Sequence, residues 1–212
     1  MMNVGILGSG KVAQTLGTKI ASLGHPVMLG ARDAAKLTEW AEGTANTQIG
    51  TLGETAQFGE ILFNCISGSG SLEALTLAGA ENMAGKILID LANPLDFSQG
   101  FPALFVANTD SLGEQIQRAF PDVKVVKALN TVTAALMVNP SQLGGDHFLP
   151  LCGNDPEARA TVADILKIWF GWQTILDLGD LSGARAMEGM LLMWIRLYGM
   201  FGTGMFNFTL VK

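Results

Sequence analysis

A glycine-rich loop near the N-terminus carries the residues best suited to chemistry in this sequence. Gly8-Ser9-Gly10-Lys11-Val12-Ala13 follows the apolar run Val4–Leu7 and opens a stretch in which apolar residues recur at helical spacing. Gly8 permits a tight turn, Gly10 lets the backbone approach a pyrophosphate, and Ala13 keeps the helix close to the sheet. The helix N-terminus adds N–H groups and a positive dipole. The strand, the loop and the helix together predict a dinucleotide-binding site.

The end of the second predicted strand indicates which dinucleotide binds. It reads Leu29-Gly30-Ala31-Arg32-Asp33, and Lys36 lies one helical turn beyond Arg32. An NAD site usually places an acidic residue here to accept from the ribose 2′-OH, whereas an arginine fork binds a 2′-phosphate. The position therefore favours NADP(H). Two alternatives stay open: Arg32 and Lys36 are solvated charges while Asp33 caps a helix, or Asp33 is a displaced ribose acceptor.

Short apolar runs that alternate with amphipathic stretches surround this loop, which predicts an α/β fold with a parallel sheet. The predicted strands are Val4–Leu7, Pro26–Gly30, Thr47–Ile49, Ile61–Ile66, Ile87–Leu91, Ala103–Val106, Val123–Leu129, Phe148–Cys152 and Gln173–Leu178. The predicted helices are 12–23, Asp33–Glu42, Ser111–Phe120, Pro156–Phe170 and Ser182–Phe201. The pattern changes near Gly144. We therefore expect a Rossmann domain over residues 1–143 and a small C-terminal α/β extension over residues 144–212.

Composition narrows the class of protein. The chain has 212 residues, a formal net charge of −6 and 49% apolar residues, so we expect no nucleic-acid partner. Cys65 and Cys152 lie alone in apolar runs without metal-ligand spacing, which indicates reduced thiols in a cytoplasmic protein and no metal site. The chain begins directly with a strand and shows no secretion signal.

The C-terminal segment Gly189–Val211 is apolar and carries a single charge, Arg196. Its length would suffice for a membrane span, but a central arginine opposes insertion, so we expect a buried or interface helix instead. Apolar residues occupy nearly every face of Gly189–Phe208, more than one helix can bury against a sheet. The sequence therefore predicts a homodimer in which this segment packs against the second subunit.

Candidate proton donors are scarce. His25 lies in a turn on the far side of the predicted sheet, His147 begins a late strand, and Tyr198 falls on the last helix. Carbonyl reduction generally needs a placed acid, whereas hydride transfer between a nicotinamide and a flavin-like ring needs mainly stacking and orientation. The catalytic residues stay unknown. Two other classes stay open: an NADP(H)-binding sensor without turnover, and a small carbonyl or imine reductase.

The sequence resembles the NADP-dependent reductases of the deazaflavin coenzyme F420, and the related nicotinamide-binding domain of the STEAP metalloreductases. The resemblance extends over nearly the whole chain. Its motifs are Gly8–Ala13, Gly30-Ala31-Arg32-Asp33, Lys127-Ala128-Leu129-Asn130-Thr131, Leu151-Cys152-Gly153-Asn154-Asp155 and Leu178-Gly179-Asp180-Leu181-Ser182-Gly183-Ala184-Arg185. It implies a Rossmann-type doubly wound parallel sheet that is extended by C-terminal strands and helices, frequently in a dimer.

The resemblance also assigns the cofactor-binding residues. It implies that the pyrophosphate is bound by Gly8, Ser9, Gly10, Lys11 and Val12 and the 2′-phosphate by Ala31, Arg32 and Lys36. The ribose and nicotinamide would contact strand-end residues, namely Cys65, Ile66 and Ser67, Ala92 and Asn93, and Asn130. Asn130 would reach the carboxamide or, alternatively, only stabilise a turn. Arg185 would meet an anionic ring or phosphate, or else form an ion pair beneath a helix capped by Ser182.

One position departs from the deazaflavin reductases. We expect a histidine in that group where this chain has Asn130, and an asparagine in the metalloreductases. The resemblance therefore implies hydride transfer between NADPH and a flavin-like acceptor, with coenzyme F420 ranked first, free flavin second and another small molecule third.

Overall fold

One eight-stranded sheet dominates the computed structural model, which describes residues 1–98 and 100–212. The strands are β1 (Val4–Leu7), β2 (Val27–Gly30), β3 (Thr47–Gly50), β4 (Ile61–Asn64), β5 (Ile87–Asp90), β6 (Leu95–Asp96), β7 (Ala103–Leu104), β8 (Lys124–Ala128), β9 (Phe148–Gly153) and β10 (Thr174–Asp177). The sheet order is β10-β9-β8-β5-β4-β1-β2-β3, and only the β8–β9 pair is antiparallel. This order confirms the Rossmann-type doubly wound sheet with added C-terminal strands.

Helices cover both faces of the sheet. They are α1 (Lys11–Ser22), α2 (Thr38–Glu42), α3 (Leu52–Phe58), α4 (Gly68–Ala78), α5 (Ala80–Met83), α6 (Leu112–Ala119), α7 (Ala134–Val138), α8 (Pro156–Phe170) and α9 (Ala184–Phe201). Side-chain caps fix several helix starts: Thr51 and Glu54 form a capping box at α3, and Asp155 accepts from Ala158 N–H at 2.8 Å at α8. Pro156 opens α8, where its missing N–H costs nothing.

Two apolar clusters hold these layers together. One lies between the sheet and α1, α7 and α8, and includes the fully buried Leu16, Ile20 and Leu166. The other lies beneath α3, α4, α6 and α9, and includes Leu75 and Met187. Because both faces are covered, β1 and β4 are buried along their whole length, which explains their continuous apolar runs.

Two predicted elements differ from the structure, and several helices were not predicted. The strand predicted over Ala103–Val106 is only the two-residue β7, which pairs with β6 outside the large sheet. The helix predicted over Asp33–Glu42 is a 3-10 turn followed by the short α2. Helices α3 and α4 had no counterpart in the predicted elements. Their sequences are rich in small and polar residues, so apolar periodicity is weak there.

The C-terminal segment is only partly helical. Helix α9 ends at Phe201, and a left-handed Gly202 terminates it. In residues 1–98 and 100–212, no helix has the length and apolar character needed to cross a membrane. The outer side of α9 exposes Met193, Tyr198 and Met200. The homodimer stays a prediction.

The close packing of α3 on β1 provides a test of the fold. A Cβ added at Gly5 would lie 2.5 Å from the Thr55 carbonyl oxygen of α3. We expect Gly5→Ala to lower the free energy of unfolding by about 1–3 kcal/mol, because the backbone of α3 must shift. The measurement is urea-induced unfolding followed by circular dichroism.

Gly189→Ala in α9 is the matched control, because a Cβ there meets no atom within 4 Å. It should leave stability unchanged or raise it by up to about 1 kcal/mol, as alanine does in a helix interior. Equal effects of the two substitutions would contradict the close approach of α3 to β1.

Candidate functional site

Parallel strand register brings the predicted site residues to one edge of the sheet. Leu7 of β1 is opposite Asn64 of β4, Asn64 is opposite Asp90 of β5, and Asp90 is opposite Lys127 of β8. The loops that follow these strands therefore emerge side by side. This edge is the place where doubly wound sheets bind ligands.

The glycine loop has the geometry of a phosphate cradle. Gly8 adopts a φ of 133°, and a Cβ there would lie 2.9 Å from the Cys65 carbonyl oxygen, so only glycine fits. Gly10 is the N-cap of α1, and a Cβ there would meet no protein atom within 4 Å. No side chain caps α1, and its first turn has no acidic residue. The first N–H groups of α1 therefore face open space that a phosphate fits.

A first pocket of about 280 Å³ extends from this loop to the end of β2. Arg32 and Lys36 both line it and are exposed, with 72% of the Arg32 side chain accessible. Their ion pairs with Glu73 and Asp33 are loose, each at 4.0 Å, and contribute little. Asp33 caps the following 3-10 turn by accepting from Ala35 N–H at 3.2 Å. The two cations thus stay available on one side of the pocket.

A second cleft, of about 560 Å³, adjoins the first and shares Cys65, Ile66 and Ser67 with it. Every residue that the sequence assigned to the cofactor lines one of the two spaces. The far wall of the cleft is apolar and consists of Leu95, Phe97, Val132, Met137, Leu191 and Trp194. The structure therefore joins a polar pocket to an apolar cleft along one groove.

Ionisable groups are rare in this cleft. Among its described lining residues, only Lys11 and Cys65 can titrate. Burial and the nearby Asp90 raise the pKa of the Cys65 thiol well above its usual value, so the thiol stays protonated at neutral pH. His25, His147 and Tyr198 line neither space. His25 packs against Trp169 in a tilted arrangement, with the ring centres 4.3 Å apart, and neither residue lines the cleft.

Two asparagines form a reciprocal pair at the centre of the cleft. Asn93 Nδ2 donates to the Asn130 carbonyl at 3.0 Å, and Asn130 Nδ2 donates to Asn93 Oδ1 at 2.9 Å. Asn130 Oδ1 is buried without a hydrogen-bond partner among the described residues. Leu129, directly before it, has a left-handed φ of 63°, which is strained for a leucine. Asn130 is therefore held in place and keeps a free acceptor.

A buried ionic cluster that was not predicted from the sequence lies beneath the pair. Lys127 Nζ lies 2.8 Å from both Asp90 Oδ2 and Glu188 Oε1, and all three side chains are at most 2% accessible. We call these three residues the Lys127 cluster. Burial opposes the charged form of Lys127, but Asp90 and Glu188 outweigh it and raise the lysine pKa. The sequence feature that could have indicated this cluster is the presence of charged residues, Asp90 and Lys127, near the ends of otherwise apolar strands.

Arg185 takes the ion-pair role that the sequence left open. Its guanidinium donates to both carboxylate oxygens of Glu114, at 2.9 and 2.6 Å, and it lines neither the pocket nor the cleft. The guanidinium lowers the pKa of the Glu114 carboxyl. The cap near this helix start is Asp180, which accepts from Ser182 N–H at 3.0 Å, rather than Ser182 itself.

A parallel sheet with a glycine loop before α1 and a groove along its carboxyl edge defines the class of Rossmann-type dinucleotide-binding oxidoreductases. Comparison with known proteins narrows the class. The sequence pattern of the family described as NADP oxidoreductase, coenzyme F420-dependent, matches residues 3–94. A crystal structure from Arthrobacter sp. FB24, named as a putative F420-dependent NADP-reductase, is 47% identical, with a TM-score of 0.96 and full coverage of both chains. The chain belongs to the family of coenzyme F420-dependent NADP oxidoreductases.

Two curated relatives extend this comparison. The metalloreductase STEAP3 of Rattus norvegicus is 31% identical over 190 residues, which are 89% of this chain and 36% of that protein. The F420-dependent NADP reductase of Methanocaldococcus jannaschii is 32% identical over 132 residues, 58% of this chain and 57% of that protein. The chain thus spans little more than a third of the metalloreductases that it matches. A reductive aminase from Aspergillus terreus, at 19% identity and a TM-score of 0.68, shares the fold.

The open space at Gly10 gives a test of the cradle. We expect Gly10→Ala to leave the unfolding free energy unchanged and to weaken NADPH binding at least tenfold, about 1.4 kcal/mol, because the new methyl group occupies the place of a phosphate. Gly8→Ala should instead destabilise the fold, because of its positive φ and the contact with Cys65. Calorimetric titration and thermal unfolding separate the two effects. Unchanged NADPH affinity in Gly10→Ala would contradict the assigned cradle.

Proposed function

We propose that this protein transfers hydride between NADPH and a flavin-like ring, with the deazaflavin coenzyme F420 ranked before free flavin. The observation that carries the proposal is the apolar cleft, which continues the phosphate-binding groove and has no histidine, tyrosine or carboxylate among its described lining residues. A carbonyl substrate would need a placed proton donor there, and Lys11, the charged side chain among the described lining residues, belongs to the glycine loop assigned to the pyrophosphate. A ring acceptor needs mainly stacking and exclusion of water. Membership of the family supports the same conclusion.

The polar pocket supports the choice of NADP(H). Arg32 and Lys36 both line it beside Ala31 and the glycine loop, and neither is held in a tight ion pair. The guanidinium of Arg32 would bind a 2′-phosphate through two hydrogen bonds, and Lys36 would add a second charge. Asp33 is engaged in its cap, which disfavours the alternative in which it accepts from the ribose.

Residues of the cleft would orient the nicotinamide without taking part in proton transfer. Asn130 lines the cleft, and its pair with Asn93 would fix the position of its amide group beside a bound carboxamide. When bound, the nicotinamide supplies the hydride itself. Leu191 and Trp194 from α9 and Met137 from α7 would pack against the second ring and keep water out.

The asparagine at position 130 bears on the acceptor. We expect a histidine at this position in deazaflavin reductases, so the asparagine of this chain is an argument against coenzyme F420. The asparagine does not exclude that acceptor, because hydride transfer itself needs no titrating group. Either ring would have to enter the cleft between Asn130 and α9.

The domain boundary at residue 143, the homodimer and the cytoplasmic location stay predictions.

Cofactor choice can be tested at Arg32. We expect Arg32→Ala to weaken NADPH binding by about 1.5–3 kcal/mol, roughly ten- to hundredfold, while NADH binding changes little. The measurement is the dissociation constant of each cofactor by quenching of tryptophan fluorescence. Lys19→Ala is the control, because it removes the same charge from the far end of α1. Tighter binding of NADH than NADPH by the unaltered protein would refute the assignment.

The acceptor can be tested by rapid mixing. We expect the NADPH-loaded protein to reduce a 5-deazaflavin, FMN or FAD at least about tenfold faster than NADPH alone, since binding aligns the two rings. Small ketones and cyclic imines serve as the comparison substrates. Turnover of those substrates without any flavin would move a carbonyl or imine reductase ahead, and absence of all turnover would favour a sensor.

A further inference from the structure

The Lys127 cluster connects to both sides of the cleft through hydrogen bonds. The ammonium of Lys127 donates to the Ala92 carbonyl, and the Asp90 carboxylate accepts from Ala92 N–H at 3.2 Å. The two polar groups of the Ala92 backbone are therefore both bound to the cluster. Asn93 is the next residue and forms half of the asparagine pair. By holding the Ala92 backbone, the cluster therefore also fixes the backbone position of Asn93.

A second connection passes through β4. Asp90 Oδ1 accepts from Asn64 Nδ2 at 2.7 Å, and Asn64 Oδ1 accepts from Ile66 N–H at 3.2 Å. Ile66 and its neighbours form the wall that the pocket and the cleft share. The cluster thus also fixes the loop opposite Asn93.

A third connection passes through α9. Glu188 joins the cluster from the first half of that helix, and the carbonyl of the preceding residue, Met187, accepts from Asn130 Nδ2 at 3.2 Å. Glu188 also accepts from Leu112 and Gly113 N–H, at 2.9 and 3.1 Å, which docks the start of α6. Asn130 is therefore fixed from the same centre as Asn93 and Ile66.

We propose that Lys127, with Asp90 and Glu188, is a positioning centre that pre-organises the nicotinamide half of the site much more than the phosphate half. The inference rests on the proposed binding of NADP(H). Its physical basis is that three loops share one buried ionic contact, and that a displacement of about 1 Å at a reacting group can cost a hundredfold in rate. Arg32, Lys36 and the glycine loop have no hydrogen bond to the cluster among the described residues.

A purely structural role makes a different prediction. If the cluster only stabilises the fold, then its loss should weaken the binding of every part of the cofactor alike, in proportion to the loss of folded protein. A positioning role instead affects binding of the nicotinamide more than binding of the rest of the cofactor. The difference can be measured without turnover by comparing NADP+ with 2′-phosphoadenosine diphosphoribose, the same molecule without its nicotinamide.

Two variants and one control separate these roles. Lys127→Met/Glu188→Gln removes one positive and one negative charge together, so the buried net charge is unchanged. Asp90→Asn is a milder change of nearly the same shape. Lys86→Met is the control, because Lys86 also donates to backbone carbonyls, those of Ala56 and Gln57 at 2.8 and 3.2 Å, but at the opposite end of β5.

We expect the unaltered protein to bind NADP+ more tightly than the fragment. That preference should fall about tenfold in the double variant and less in Asp90→Asn, while the fragment's own affinity stays within about twofold. The primary isotope effect with 4-deuterated NADPH should rise in both variants, because poorly aligned hydride transfer becomes rate-limiting. Lys86→Met should change neither value.

Three results would overturn the inference. Folded variants that keep the full preference for NADP+ would exclude positioning, and so would an equal loss of affinity for NADP+ and the fragment. Failure of both variants to fold would make the cluster structural. The proposed function fails separately, and visibly, if the unaltered protein shows no preference for NADP+ over the fragment or reduces no ring acceptor.

Discussion

A buried ammonium ion, that of Lys127, connects the centre of the sheet to the last helix of this protein. Lys127 is fully inaccessible, and removing it alone would leave two carboxylates buried without compensation, an imbalance that typically costs about 3–5 kcal/mol. Its partners come from β5 and α9, and Glu188 in turn holds the start of α6. The last helix of the chain is thereby attached to the centre of the sheet, beside the groove that the N-terminal half provides.

Close contacts between backbone segments also fix the loops at the carboxyl edge of the sheet. A Cβ at Gly68, the first residue of α4, would lie 2.0 Å from the Asn93 carbonyl oxygen, so α4 can begin there only without a side chain. Asn93 is thus confined between α4 and the Lys127 cluster. The strained Leu129 is stabilised by the same surroundings, since a left-handed leucine persists only where neighbouring contacts impose it. Small residues on one side and paired charges on the other leave these loops little freedom.

The sequence allowed the fold class and the local features to be predicted, because these depend on neighbouring residues. The glycine loop, Asp155 before Pro156, and the exact limits of α8 all follow from local patterns of capping and periodicity. The pairing of β7 with β6 outside the large sheet was not predicted, because an apolar run does not show which strand it pairs with. The Lys127 cluster was missed for the same reason: Asp90 and Lys127 are 37 residues apart, and nothing local indicates that both are buried. The ion pair of Arg185 with Glu114, 71 residues away, was one of two open alternatives until the packing of α6 and α9 decided it.

The chemical character of the cleft follows from where the charges are placed. Three charged side chains lie directly beneath it, yet none of these three lines it. The groups that do face it are Lys11 at the glycine loop, amides, hydroxyls, a protonated thiol and apolar side chains. Amide groups do not titrate, so the asparagine pair keeps the same polarity across the neutral range of pH. The described lining has no histidine, tyrosine or carboxylate to serve as a proton donor, and its apolar side chains suit two rings held in fixed contact for hydride transfer. Because the buried charges lie beneath the cleft and not on its surface, they are suited to positioning the lining residues and not to acid–base catalysis.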